Sequence, residues 1–105
     1  MRGPFPLQNL TVGMHVPCAV RGVFCLAKKP GQVCLVGRAD NDLRAALKTY
    51  ITKFPFFSFE TALSPEECWV IHCRLYHKYA DSGTLEDRLH PAADKPGQKC
   101  PVCGI

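Results

Sequence analysis

The sequence predicts an α/β or α+β domain with a small antiparallel sheet of about three strands flanked by helices. Two short apolar runs flank a Pro-Gly turn, and the apolar spacing then changes from that of a strand to that of a helix. A third strand and a strong helix start follow. With 105 residues the chain is too short for a second domain. We therefore expect one domain over 1–105, with an irregular arm over 1–18 and a cysteine-containing tail over 81–105.

The first two predicted strands form a β-hairpin. The segment 20–26 is apolar and rich in β-branched residues, and 32–37 is a second apolar run. The turn signal between them is Lys-Lys-Pro-Gly at 28–31, which is short enough to join neighbouring antiparallel strands. Cys25 and Cys34 fall inside these runs, so we expect both to be buried thiols packed as small apolar side chains.

A helix with one buried face is predicted after the hairpin. Its apolar residues recur at helical spacing, and they are Leu43, Ala46, Leu47, Tyr50 and Phe54. Asp40 or Asn41 is expected to cap its first turn. The alternating run 56–63 then predicts the third strand.

The second predicted helix begins with a capping box. Ser64 is the expected N-cap, Pro65 takes the first helical position, and Glu67 completes the box. The helical pattern continues to about Ala80. The prediction for the rest of the chain is loop-like structure.

Composition excludes several classes of protein. Thirteen basic and nine acidic residues give a formal net charge of +4, which permits a polyanionic partner without requiring one. The composition is not that of a coiled coil, a collagen or a disordered acidic tail. No stretch is apolar enough for a membrane span or a signal peptide, so we expect a cytoplasmic protein with no membrane partner.

The spacing of cysteine and histidine predicts a structural zinc site. The chain has seven cysteines, and Cys100 and Cys103 form a C-x2-C pair that suits two corners of a tetrahedral site. Cys73 and His77 are four residues apart on the second helix and share one side of it. We expect the tail to fold over that side, with His90 competing for one of the four positions.

Two other interpretations of these residues stay open. Cys73 can be a packed thiol beside a solvated His77, with a loose tail. Cys100 and Cys103 can instead form a redox pair, although no helix N-terminus is predicted there to lower a thiol pKa.

The order of hairpin, helix, strand and helix resembles the GIY-YIG nuclease superfamily. Gly22-Val23-Phe24 is similar to the Gly-Ile-Tyr element of the first strand, and Leu35-Val36-Gly37 is similar to the Tyr-Ile-Gly element of the second. The segment 37–47 is similar to the glycine-to-helix connection that follows.

A narrower resemblance, to a small bacterial group with this core and a cysteine tail, extends over about 12–105. It rests on Val12-Gly13, Pro17-Cys18, Gly37-Arg38, Asp42-Leu43, Ser64-Pro65, Cys73, Leu75-Tyr76-His77, His90-Pro91 and Lys99-Cys100-Pro101.

The resemblance implies a nuclease site whose chemical groups are mostly replaced here. The family's mechanism needs a tyrosine in each tripeptide, an arginine and a histidine or tyrosine on the first helix, and a glutamate that binds Mg²⁺ on a later helix. In this chain these five positions are Phe24, Leu35, Ala46, Tyr50 and His72, in that order. Neutral imidazole is a poor ligand for Mg²⁺. We therefore expect an inactive nuclease fold.

The sequence supports three hypotheses for the function. The first is a non-catalytic module that binds nucleic acid, or a protein, at the former active face through Arg38, Arg44 and Lys48. The second is an active endonuclease that uses Mg²⁺ or Mn²⁺ and a rebuilt site of Tyr50, His72, Tyr76 and Arg44. The third is a protein-interaction protein, such as an inhibitor. The basic side chains can also be ordinary solvated surface, and His72 and Tyr76 a buried pair. The sequence leaves the oligomeric state open.

Overall fold

A computed structural model describes residues 1–80, 85 and 99–102, and it has an α+β fold. Four strands form one antiparallel sheet: β1 (Arg2–Pro6), β2 (Gly22–Lys29), β3 (Gln32–Ala39) and β4 (Phe56–Thr61). Three helices accompany it in the described part of the chain: α1 (Asn9–His15), α2 (Leu43–Lys48) and α3 (Pro65–Ala80). None of these helices has the length and apolarity needed to cross a membrane.

The sheet has the strand order β1-β4-β2-β3, so the predicted hairpin β2–β3 forms one side of it. The two strands turn at Pro30 and Gly31, and Gly31 has φ +83°, a conformation that favours glycine. Leu26 faces Leu35 across the hairpin while Ala27 faces Val33. Cys34 is therefore the extra residue of a β-bulge.

Side chains alternate between the two faces of the sheet, and each face is covered by helices. On one face Phe24, Leu26 and Phe57 join the main core with Leu43 and Leu47 of α2. That same core includes Val12 of α1. On the other face Cys25 and Val33 pack with residues of α3, among them Leu75, Tyr76 and Tyr79. The sheet therefore separates α1 and α2 from α3.

The N-terminal segment differs from the prediction of an irregular arm over 1–18. It contains β1, which adds a fourth strand beside β4, and it contains α1, which buries Val12. Pro4 and Pro6 argue against a strand in the sequence. However, β1 is an edge strand, where proline is tolerated. Gln8 at the start of α1 makes no side-chain cap bond, so no capping signal marked the helix.

The helix after the hairpin is shorter than its apolar spacing predicts. α2 ends at Lys48, and turns carry Tyr50 and Phe54 back to the main core. Its cap is Asp42, whose side chain accepts a hydrogen bond from the Ala45 backbone N–H at 3.2 Å. The expected caps, Asp40 and Asn41, are thus one or two residues too early. Asp40 instead forms an ion pair with Arg38 at 3.2 Å.

The start of α3 agrees with the predicted capping box. Ser64 Oγ accepts a hydrogen bond from the Glu67 backbone N–H at 3.1 Å, and Glu67 Oε2 accepts one from the Leu63 backbone N–H at 3.4 Å. Within the described residues the helix extends to Ala80, so the helical pattern predicted up to that residue is present. Strand β4 ends at Thr61, two residues before the predicted limit.

Candidate functional site

The outer side of α3 carries a small buried cluster that includes one residue near the C-terminus. Trp69, Cys73 and Cys100 form it, with Val70 packed against it. Trp69 and Cys73 are four residues apart, so they lie on one side of the helix, and His77 continues the same line. Cys73 is 0% and Cys100 2% exposed. Cys100 therefore lies against the side of α3 that bears Cys73 and His77.

A polar contact joins Cys100 of this cluster to His77. The Cys100 Sγ atom lies 3.4 Å from the Nε2 atom of His77. Tetrahedral zinc, with bonds of about 2.3 Å to sulfur and about 2.0–2.1 Å to nitrogen, holds two such ligand atoms about 3.5 Å apart. The observed separation also suits a thiol hydrogen bond to the imidazole.

Of the predicted zinc ligands, three are described and two are not. Cys73, His77 and Cys100 are described, whereas Cys103 and His90 lie outside the described residues, as do residues 81–84 and most of the remaining tail. Among the described residues, no group of three or more histidine, cysteine, aspartate or glutamate side chains is arranged to hold a metal ion.

Four of the five nuclease-like positions lie together in the main core. Phe24 is 3% exposed, and Leu35, Ala46 and Tyr50 pack against the cluster that contains it. The rings of Phe24 and Tyr50 are 5.8 Å apart between centroids. A Cβ atom on Gly37 would lie 2.3 Å from Cζ of Phe24, so the Phe24 ring fills the space beside that strand. These positions are therefore surrounded mainly by apolar side chains.

The fifth position, His72, lies on α3. Because α3 covers the other face of the sheet, His72 is separated from Phe24, Leu35, Ala46 and Tyr50. Tyr76 packs against Cys25 and Val33 on that same face. The structure therefore does not bring together the rebuilt catalytic set of Tyr50, Arg44, His72 and Tyr76.

The three basic candidates have different environments. Arg44 donates hydrogen bonds from Nε to the Val16 carbonyl at 2.8 Å and from its second terminal nitrogen to the Gly13 carbonyl at 3.1 Å. Arg38 is paired with Asp40, and its side chain is only 13% exposed. Lys48 is exposed at the end of α2. The structural role of Arg44 is not visible in the sequence, because its partners are 31 and 28 residues earlier in the chain.

Two cavities of the described structure have none of the nuclease-like positions in their lining. One of about 280 Å³ is lined by Met1, Arg2, Pro17, Phe59, Glu60 and Thr61. Another of about 210 Å³ borders Cys25, Ser58 and Tyr79. Burial raises the pKa of the Cys25 thiol to about 12, and the positive charge of Lys78 offsets this only in part. Cys25 is therefore a neutral thiol near pH 7 and a poor nucleophile.

The described residues thus combine a cysteine–histidine contact on α3, an apolar core at the nuclease-like positions, and a basic surface on α2. Comparison of the chain with models of protein families, with curated proteins and with solved structures finds no match.

Proposed function

We propose that this chain is a catalytically degenerate GIY-YIG-like domain, stapled by a structural zinc ion, that works as a binding module. The observation that carries the proposal is the contact of Cys100 Sγ with His77 Nε2 at 3.4 Å, beside the buried Cys73. The order β2, β3, α2, β4, α3 supports the nuclease-like part of the proposal, because it is the order that the resemblance implies.

The proposed zinc ligands are Cys73, His77, Cys100 and Cys103. Thiolate and imidazole are the ligands that zinc prefers, and a complete set of four protein ligands leaves no position for catalysis. Bound zinc would supply folding free energy to a tail of about 25 residues that has little core of its own. The role proposed for these side chains is therefore to hold the tail against α3.

The packing of the nuclease-like positions supports a non-catalytic role. Phe24 and Leu35 place rings and methyl groups where the family's mechanism needs hydroxyl groups, and Ala46 has no charge to stabilise a phosphate. His72 belongs to α3, and α3 packs against the other face of the sheet. We expect no plasmid cleavage with Mg²⁺ or Mn²⁺; cleavage that is abolished in His72→Ala would contradict this.

Zinc content tests the proposal with a matched pair of cysteine variants. Protein expressed in zinc-supplemented medium should retain about one zinc ion per chain. Cys100→Ser should lose the metal together with the protease resistance of the tail. Cys18→Ser is the control, because Cys18 is exposed and lies before β2, and it should retain zinc. A folded wild-type protein without zinc would instead assign the 3.4 Å contact to a thiol hydrogen bond.

Nucleic-acid binding is a second candidate function, favoured by the charge on α2. Lys48 is exposed and lies one helical turn beyond Arg44, on the same side of the helix. Arg38 is the third candidate for phosphate binding, although it is paired with Asp40. If Lys48 neutralises one phosphate, Lys48→Glu should weaken oligonucleotide binding and reduce the salt slope by about one. An unchanged slope would leave Lys48 as solvated surface.

A further inference from the structure

Helix α1 exposes an apolar stripe to solvent. Leu10 is 75% and Met14 70% exposed, and they are four residues apart, so they lie on one face of the helix. The opposite face is anchored in the main core by Val12, which is 0% exposed. The inner face therefore anchors α1 in the core, whereas Leu10 and Met14 on the outer face are mostly exposed to solvent.

Gly13 lies beside this stripe and has no explanation within the described fold. It is in the middle of a seven-residue helix, where glycine is unfavourable relative to alanine. No positive φ requires glycine here, and a Cβ atom would meet no atom within 4 Å. The absence of a side chain does leave the helix backbone open to close approach from outside.

The apolar stripe has a positive border. The hydrogen bonds of Arg44 to the Gly13 and Val16 carbonyls hold its guanidinium at the C-terminal end of α1. Lys48 is exposed one helical turn further along α2. Neither α1 nor α2 contains an acidic residue. A complementary surface would therefore be apolar with acidic side chains at its edge.

We propose that α1 docks an acidic amphipathic helix of a partner protein. Its leucine-type side chains would pack against Leu10 and Met14, its backbone would approach closely at Gly13, and its carboxylates would lie near Arg44 and Lys48. A second copy of this chain is disfavoured, because it would bring like positive charges together. A phosphate-bearing ligand is disfavoured, because phosphates do not pack against apolar side chains. The proposal rests on the proposed function only in treating the domain as a binding module, and it does not require zinc.

A synthetic peptide supplies a defined probe for this surface. The peptide is an amphipathic helix with leucine at positions i, i+3, i+4 and i+7 and glutamate beside them, and its control has lysine in place of glutamate. Fluorescence anisotropy should detect binding of the acidic peptide and not of the lysine peptide. Leu10→Asp and Met14→Asp should each weaken binding about tenfold or more. Leu63→Asp is the matched control, since Leu63 is 93% exposed and lies outside both helices.

Substitution of Gly13 separates a binding role from a structural one. Gly13→Ala should raise the melting temperature, because alanine favours the helix, yet it should weaken peptide binding at least several-fold by blocking close approach. Absence of acidic-peptide binding, or equal effects of Leu10→Asp and Leu63→Asp, would overturn the proposal. Binding of a single-stranded oligonucleotide without binding of the acidic peptide would also overturn the proposal. Zinc content is measured on the same samples, so that failure of the metal proposal can be distinguished from failure of peptide binding.

Discussion

At the scale of single residues, Cys25 and Cys100 show two different environments for a buried thiol. Cys25 is buried among apolar side chains between the sheet and α3, whereas Cys100 contacts the imidazole of His77. The apolar sequence around Cys25 and Cys34 predicted their burial, and the structure confirms it. The surroundings of a thiol therefore distinguish an inert core residue from a candidate metal ligand.

Burial of Cys25 makes the fold sensitive to alkali. The thiol ionises near pH 9.0 at its usual pKa and near pH 12 in the fold. Between these values the unfolded chain binds fewer protons than the folded one, so the free energy of unfolding falls as the pH rises. The slope contributed by this thiol is at most about 1.4 kcal/mol per pH unit.

Denaturant unfolding between pH 9 and 11 measures this contribution. Cys25→Ala should be less stable than wild type at pH 7, because it leaves a small cavity, but its stability should fall less steeply with pH. Groups that titrate in both proteins cancel in the comparison. Parallel pH profiles for wild type and variant would show that the thiol ionises normally in the fold.

The sequence alone shows which chemical groups are missing at the nuclease-like positions, but it does not predict how these residues pack. Phe24, Leu35 and Ala46 lack the hydroxyl and guanidinium groups that a nuclease of the resembled family would need, and this is visible in the sequence alone. Their packing in one core depends on which face of the sheet each strand residue takes. That depends in turn on the β-bulge at Cys34, for which the sequence has no signal.

At the scale of elements, local signals predicted the β2–β3 hairpin and α3 well. The hairpin has a Pro-Gly turn between apolar runs, and α3 has a capping box followed by helical spacing. The sequence does not predict elements that lack such signals. β1 contains two prolines and α1 has no side-chain cap, so both depend on tertiary contacts with β4 and the core.

One of these tertiary contacts is the link from α2 to α1 through Arg44. Arg44→Met keeps most of the aliphatic stem but removes both hydrogen bonds to the Gly13 and Val16 carbonyls. We expect the free energy of unfolding to fall by about 1.5–3 kcal/mol, the range for hydrogen bonds to charged groups.

Chemical denaturation of Arg44→Met, with Lys48→Met as control, tests this role. Lys48 is an exposed residue of the same helix, and its substitution should change stability by less than about 0.5 kcal/mol. Equal effects of the two substitutions would mean that the Arg44 bonds add nothing to the stability of the fold.

At the scale of the whole molecule, the sheet separates the two regions for which we propose a role. α1 and α2 cover one face and offer an apolar stripe with a positive border, whereas α3 covers the other face and carries the cysteine–histidine contact. The α+β class could be anticipated from the order of the elements, and the contact of Cys100 with α3 from the cysteine spacing. The division of the two regions by the sheet could not, because it depends on packing between distant segments.

Zinc K-edge X-ray absorption of the purified protein tests the central claim most directly. The proposed ligands predict a shell of three sulfurs at about 2.3 Å and one nitrogen at about 2.0–2.1 Å. In Cys100→Ser, zinc should be absent or its sulfur shell reduced. A shell of nitrogen and oxygen alone, or a folded wild-type protein with no bound zinc, would contradict the account.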